Sequence, residues 1–128
     1  MSHAQKLLIA ARITAVLSVA AVVVLFATGG QLVQNYSGID IHGAAAIGLH
    51  ITTGLLALTL VLRAVLTRTG IWAAAAAMVL FGISFVQAEL GDYSTLANHV
   101  LGSVITTVLC TWLTAWSFAR RNSPAIDS

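Results

Sequence analysis

Charged side chains are scarce in this sequence: Asp, Glu, Lys and Arg together make up 8% of its 128 residues. A soluble domain carries roughly a quarter charged residues, so too few are present here to solvate a protein surface. Hydrophobic residues make up 59% of the chain, and its mean hydropathy is +0.94. This composition predicts an integral membrane protein whose solvent is the lipid bilayer.

Cysteine and proline are nearly absent as well. The single cysteine, Cys110, excludes an internal disulfide and a multi-cysteine metal cluster. The single proline, Pro124, lies in the C-terminal tail and interrupts no apolar segment. The sequence contains no basic patch with interleaved aromatic residues, which argues against nucleic acid as a partner. It also contains no phosphate-binding loop, metalloprotease motif or nucleophile with its base, so no catalytic residue is predicted.

Four apolar segments cover about residues 7–28, 41–66, 71–88 and 95–119. Each reaches or approaches the roughly 20 residues that a helix needs to cross a bilayer. The segments are continuously apolar, whereas the strands of a membrane barrel alternate. The sequence therefore predicts one all-α domain over residues 1–128, an integral membrane four-helix bundle. A cleaved signal peptide is the alternative for the first segment, but its length favours a retained helix.

The predicted connections are a polar, glycine-containing loop over residues 29–40 and two short turns over residues 67–70 and 91–94. Acidic residues Asp40, Glu89 and Asp92 mark one side of the membrane. The positive-inside rule places the basic side in the cytoplasm, which predicts an up-down-up-down bundle in the cell inner (cytoplasmic) membrane with both termini cytoplasmic. The basic residues that mark this side are Lys6, Arg12, Arg63, Arg68, Arg120 and Arg121.

Ionisable side chains within membrane helices are rare and usually face the bundle interior, which draws attention to His42, His50 and His99. His42 lies 21 residues before Arg63, and His99 lies 21 residues before Arg120, so these two histidines match in depth. If the second helix instead ends near Arg68, His50 lies 18 residues before its arginine and is the better match. Helix boundaries read from sequence slip by a few residues, and both pairings stay open.

Two histidines on two parallel helices are the arrangement that a b-type haem needs, because neutral imidazole is a common axial ligand of haem iron. Gly54 and Gly102 lie near His50 and His99 on their helices, and glycine permits close approach of a flat cofactor. We therefore expect haem b to be bound by His99 together with His42 or His50. Interhelical hydrogen bonding without a cofactor is the plainer interpretation, and a three-histidine zinc or copper site is another.

The two histidine-bearing helices resemble one four-helix half of the haem A synthase family, whose haem-ligating histidines lie on even-numbered helices. The matching positions are His42 or His50, and His99 within NHVLG, which follows the VQAELG stretch. The chain is also similar to small bacterial four-helix membrane proteins of unknown function. The synthase family's catalytic glutamate has no counterpart here, and its second half is missing. The resemblance therefore implies a haem-binding bundle and not haem A synthesis.

The leading functional hypothesis is a cytochrome-like electron-transfer protein or a haem-bearing subunit, with a quinone or a larger membrane complex as candidate partners. A second hypothesis is a non-catalytic accessory or assembly subunit, for which the alanines at residues 73–77 are a candidate contact surface. A third is a small transporter that acts as a homo-oligomer. No inverted repeat or broken helix points to a transport pathway.

Overall fold

The computed structural model describes residues 1–120, and helices make up nearly all of this part of the chain. A 3-10 turn, Tyr93–Thr95, precedes the last helix. All four helices are long and apolar enough to cross a membrane, which confirms the prediction of an all-α, multi-pass membrane protein. The helices are α1 (His3–Asn35), α2 (Ile39–Thr67), α3 (Ile71–Glu89) and α4 (Leu96–Ala119).

The first helix is longer at both ends than its apolar segment. It begins with a capping box, in which the Ser2 hydroxyl accepts from the Gln5 backbone N–H and the Gln5 side chain accepts from the Ser2 N–H. It ends at Asn35, and the next residue, Tyr36, adopts the left-handed conformation with φ 59°. At 1.5 Å per residue α1 is about 50 Å long, whereas the hydrocarbon core is about 30 Å thick.

The predicted loop over residues 29–40 is therefore wrong, because only residues 36–38 separate α1 from α2. The pair Gly29 and Gly30 suggested a break, since each glycine costs a helix about 1 kcal/mol relative to alanine. Contacts with α2 offset this cost. The Thr28 hydroxyl lies 2.9 Å from His42 Nδ1, and a Cβ added at Gly29 would meet the His42 ring at an ordinary 3.7 Å.

The four helices pack in a ring in chain order. Helix α1 contacts α2 and α4, and α3 contacts the same two helices. Within residues 1–120 the diagonal pairs, α1 with α3 and α2 with α4, make no close backbone contacts. The two helices that carry His42, His50 and His99 consequently face each other across the bundle axis.

The core alternates leucine with small residues, as close helix packing requires. Leu56, Leu60, Leu80 and Leu113 are fully buried, and Ala77 lies among them. Large aliphatic side chains cover the outside of the bundle, where lipid is the natural solvent.

The alanine run of α3 turns mainly inward. Ala73, Ala74 and Ala77 are buried in the bundle core, whereas Ala75 is exposed. The prediction that residues 73–77 form an outer contact surface is therefore wrong for three of the five. A helical run of five places its members on every side of the helix, so the run cannot lie on one face.

Arginine side chains gather at one end of the bundle. Arg12 donates from Nε to the Ser117 carbonyl at 3.1 Å and from Nη2 to the Arg120 carbonyl at 2.7 Å, which satisfies the C-terminal end of α4. The Trp116 ring lies 5.0 Å from the Arg120 guanidinium and 6.0 Å from that of Arg63. Gly70 passes beneath this ring with φ +76°, where a Cβ would come within 2.9 Å of Trp116.

Candidate functional site

His42 and His99 occupy equivalent positions on diagonal helices. Helix α2 begins at Ile39 and α4 begins at Leu96, so each histidine is the fourth residue of its helix. His50 is the twelfth residue of α2 and lies two turns farther from that end. Counted from the helix starts, His99 matches His42. Helix α2 ends at Thr67, beside Arg68, and this is the end for which the count from the arginines matches His99 with His50.

The tautomer of His99 follows from its hydrogen bond to α3. Its Nδ1 lies 2.9 Å from the backbone carbonyl oxygen of Gln87. A carbonyl only accepts, so Nδ1 carries the proton and donates it. Nε2 of the neutral ring is then an unprotonated base, which is the form that binds a metal.

His42 is held in the same way by α1. The Thr28 hydroxyl lies 2.8 Å from the Val24 carbonyl and 2.9 Å from His42 Nδ1. In the tautomer in which the hydroxyl donates to Val24, its oxygen accepts from Nδ1, and Nε2 of the neutral ring is then an unprotonated base. A partner on Nδ1 that fixes ring orientation and leaves Nε2 free is the usual second shell of a ligating histidine.

His42 and His99 lie near the same end of the bundle, on the diagonal helices α2 and α4, and each ring is oriented by a neighbouring helix.

His50 faces a different helix. Its Nδ1 lies 2.9 Å from the Ser84 hydroxyl of α3, and its ring stacks on Phe85 with centroids 4.5 Å apart. The groove that His50 lines is formed by residues of α2 and α3 alone. His50 is therefore oriented by α3 and lines a lateral groove, whereas His42 is held by α1.

The three histidines do not gather into a single polydentate site. Across residues 1–120, no three histidine, cysteine or acidic side chains come together as a metal-ion site. A tetrahedral zinc site needs at least three protein ligands. The three-histidine zinc or copper interpretation is consequently not supported by the placement of these side chains.

The two glycines predicted to make room for a cofactor are each covered by a side chain of α3. A Cβ added at Gly54 would lie 3.0 Å from the Phe81 ring, and one added at Gly102 would collide with the side-chain amide of Gln87. Because Gly102 has no side chain, the Gln87 side chain fits against α4 near His99. Its amide oxygen lies 3.4 Å from the Ser103 hydroxyl. Gln87 therefore contributes to the His99 surroundings through both its backbone and its side chain.

Gly102→Ala is expected to stabilise the protein by less than the roughly 1 kcal/mol that alanine gains over glycine in a helix, because the added methyl displaces the Gln87 amide from its place on α4. Thermal unfolding in detergent measures the difference, and adding Gln87→Ala to the same chain should recover most of the missing gain. Gly82→Ala is the matched control, since nothing lies within 4 Å of a Cβ there. Equal effects at Gly82 and Gly102 would contradict the packing of Gln87 on α4.

Thr28 and Ser84 are the site residues that the sequence did not indicate. Both are buried hydroxyls on apolar helices, where most serines and threonines bond only to their own backbone. Their importance depends on the rotation of α1 and α3 relative to α2, which hydropathy does not encode. Gln87 bonds His99 through its backbone carbonyl, a group that a residue of any type would offer at that position.

Comparison of the chain with protein-family models, with curated proteins and with solved structures finds no match.

Proposed function

We propose that this protein binds one haem b at the acidic end of its bundle, with Nε2 of His42 and Nε2 of His99 as the axial ligands. The observation that carries the proposal is that the two imidazoles have the same position in their helices and the same kind of hydrogen bond. Both are the fourth residue of their helix, and both are held through Nδ1 by a neighbouring helix. A bound haem would supply one-electron exchange at this end of the bundle.

The chain's own residues supply the conditions that such a ligand pair needs. Thr28 and the Gln87 carbonyl fix the two rings and leave their basic nitrogens free. Helices α2 and α4 are diagonal in the bundle, so a cofactor held by both histidines would lie between them. Gly29 leaves the backbone of α1 bare beside the His42 ring.

The experiment that tests the proposal is measurement of bound haem in protein purified in mild detergent from haem-replete cells. A Soret band, with split α and β bands after reduction, supports bis-histidine haem b. A colourless and correctly folded protein contradicts it. That result would favour the accessory-subunit hypothesis, in which the histidines serve only helix packing.

We also propose that the bundle lies in the cytoplasmic membrane in an up-down-up-down topology, with both termini and the α2–α3 turn in the cytoplasm. The clustering of Arg12, Arg63 and Arg120 around Trp116 and Phe118 supports this orientation. The histidine end, with Asp40 in the first turn of α2, then faces outward.

Cysteine labelling tests the orientation cleanly, because the native Cys110 is buried and does not interfere. Thr69 and Ser94 are both exposed in turns at opposite ends of the bundle. A membrane-impermeant maleimide should label Ser94→Cys in intact spheroplasts but label Thr69→Cys only after lysis. Labelling in the reverse order would invert the topology and place the histidines at the cytoplasmic surface.

A further inference from the structure

A groove of about 480 Å³ lies on the outside of the bundle between α2 and α3. His50, Phe81 and Phe85 line it together with Gly54, and aliphatic side chains of α2 complete its walls. The groove is thus apolar except for one imidazole. It is separate from the end of the bundle that holds His42 and His99.

The His50 ring lines this groove and is held through Nδ1. The Ser84 hydroxyl lies 2.7 Å from the Phe81 carbonyl and 2.9 Å from His50 Nδ1. In the tautomer in which the hydroxyl donates to Phe81, it accepts from Nδ1, and Nε2 carries a lone pair. Nε2 forms no hydrogen bond within residues 1–120, and it is not fully enclosed by protein atoms.

An acceptor at this depth needs a donor that lipid does not supply. His50 is the twelfth residue of α2, which places it about 17 Å along the helix from its start. Water is absent from the hydrocarbon core, and an unsatisfied polar group there is costly. The acyl chains that surround the helices have no O–H or N–H group, so they fill the groove but leave Nε2 unpaired.

The floor of the groove is aromatic. The rings of His50 and Phe85 are stacked with an angle of 4° between their planes. Phe81 meets Phe85 edge to face, with centroids 5.0 Å apart. Aromatic surfaces of this kind favour a flat ring over a flexible chain. Gly54 has no side chain, so α2 leaves space beside Phe81.

We propose that this groove binds the hydroxylated ring of a membrane-soluble quinol, whose O–H donates to Nε2 of His50. The ring meets the aromatic floor, and the apolar tail follows the aliphatic side chains of α2. His50 lies eight residues from His42, about 12 Å along the helix. Binding of the ring is independent of haem, whereas any exchange of electrons between the two rests on the proposed function.

Titration of the detergent-solubilised protein with decylhydroquinone under argon tests this site, with its dimethyl ether as the matched ligand. The ether keeps the ring and tail but has no O–H. We expect the hydroquinone to bind about tenfold more tightly, as one hydrogen bond to an otherwise unpaired acceptor allows. The ¹⁵N resonance of His50 Nε2 should shift with the hydroquinone and stay unchanged with the ether.

The variant His50→Phe keeps a stacking ring but removes the acceptor, so it should bind both ligands equally weakly. His3→Phe, at an exposed position, controls for the substitution itself. Equal affinity of the wild-type protein for both ligands, or no binding of either, would overturn the proposal. Because the ligand comparison uses the unmodified chain, it is decisive even if His50→Phe fails to fold. The same titration on haem-free protein separates this site from the proposed haem.

Discussion

Replacing His99 by alanine is expected to abolish the haem spectrum of the purified protein, and His42→Ala is expected to do the same. Under the proposed function each change removes one of the two haem ligands, and no other histidine of residues 1–120 is the fourth residue of its helix. We expect haem content to fall by at least about tenfold, which corresponds to about 1.4 kcal/mol or more of lost binding free energy. Pyridine haem assay of equal amounts of protein measures the change.

His50→Ala is the matched control for these two variants, since His50 bonds Ser84 and lines a groove on another face. Its haem content should equal that of the unmodified protein. Gel filtration of all three variants establishes that each remains folded. Loss of haem in His50→Ala, with haem retained in His42→Ala, would contradict the pairing of His42 with His99. It would indicate instead that His50 is the partner of His99.

Ala77→Leu is expected to destabilise the bundle by about 1–3 kcal/mol, the usual cost of overpacking a close-packed interior. Ala77 has 0% of its surface exposed and lies in the same core as Leu80 and Leu113. The added side chain has no space unless α3 moves away from its neighbours. Loss of the monodisperse gel-filtration peak and a lower unfolding temperature in detergent measure the effect.

Ala75→Leu provides the comparison on the same helix, because Ala75 is exposed and two residues away. This variant should unfold at the temperature of the unmodified protein. The opposite pattern, in which Ala77→Leu is tolerated and Ala75→Leu disrupts a complex in the membrane, would restore the alanine run as a contact surface. It would then favour the assembly-subunit hypothesis over the cytochrome-like one.

Hydropathy was sufficient to predict the four helices, because crossing a hydrocarbon core demands a long apolar run whatever the packing. It was not sufficient for the end of α1. Polar and glycine residues 29–35 suggested a loop, yet they continue the helix to Asn35. Long-range contact with His42 favours this extension, and local propensity contains no information about such a contact.

The choice between His42 and His50 illustrates a second limit of the sequence. Counting residues from the arginines placed either histidine level with His99, because the C-terminal end of α2 was uncertain by more than a turn. The N-terminal end is better defined, since Gly38 adopts φ 85° and the helix begins directly after it. Counted from the two starts, His42 and His99 are equivalent, whereas the observed end of α2 at Thr67 keeps the count from Arg68 that matched His50. The hydrogen bonds to Thr28 and Gln87 required the rotation of each helix, which no periodicity in this chain encodes.

The absorption spectrum of the protein, purified in mild detergent from haem-replete cells, tests the central claim most directly. We expect a Soret band and, after reduction with dithionite, split α and β bands from one bis-histidine haem b per chain. A monodisperse, helical and colourless protein with no haem by pyridine assay would contradict the claim.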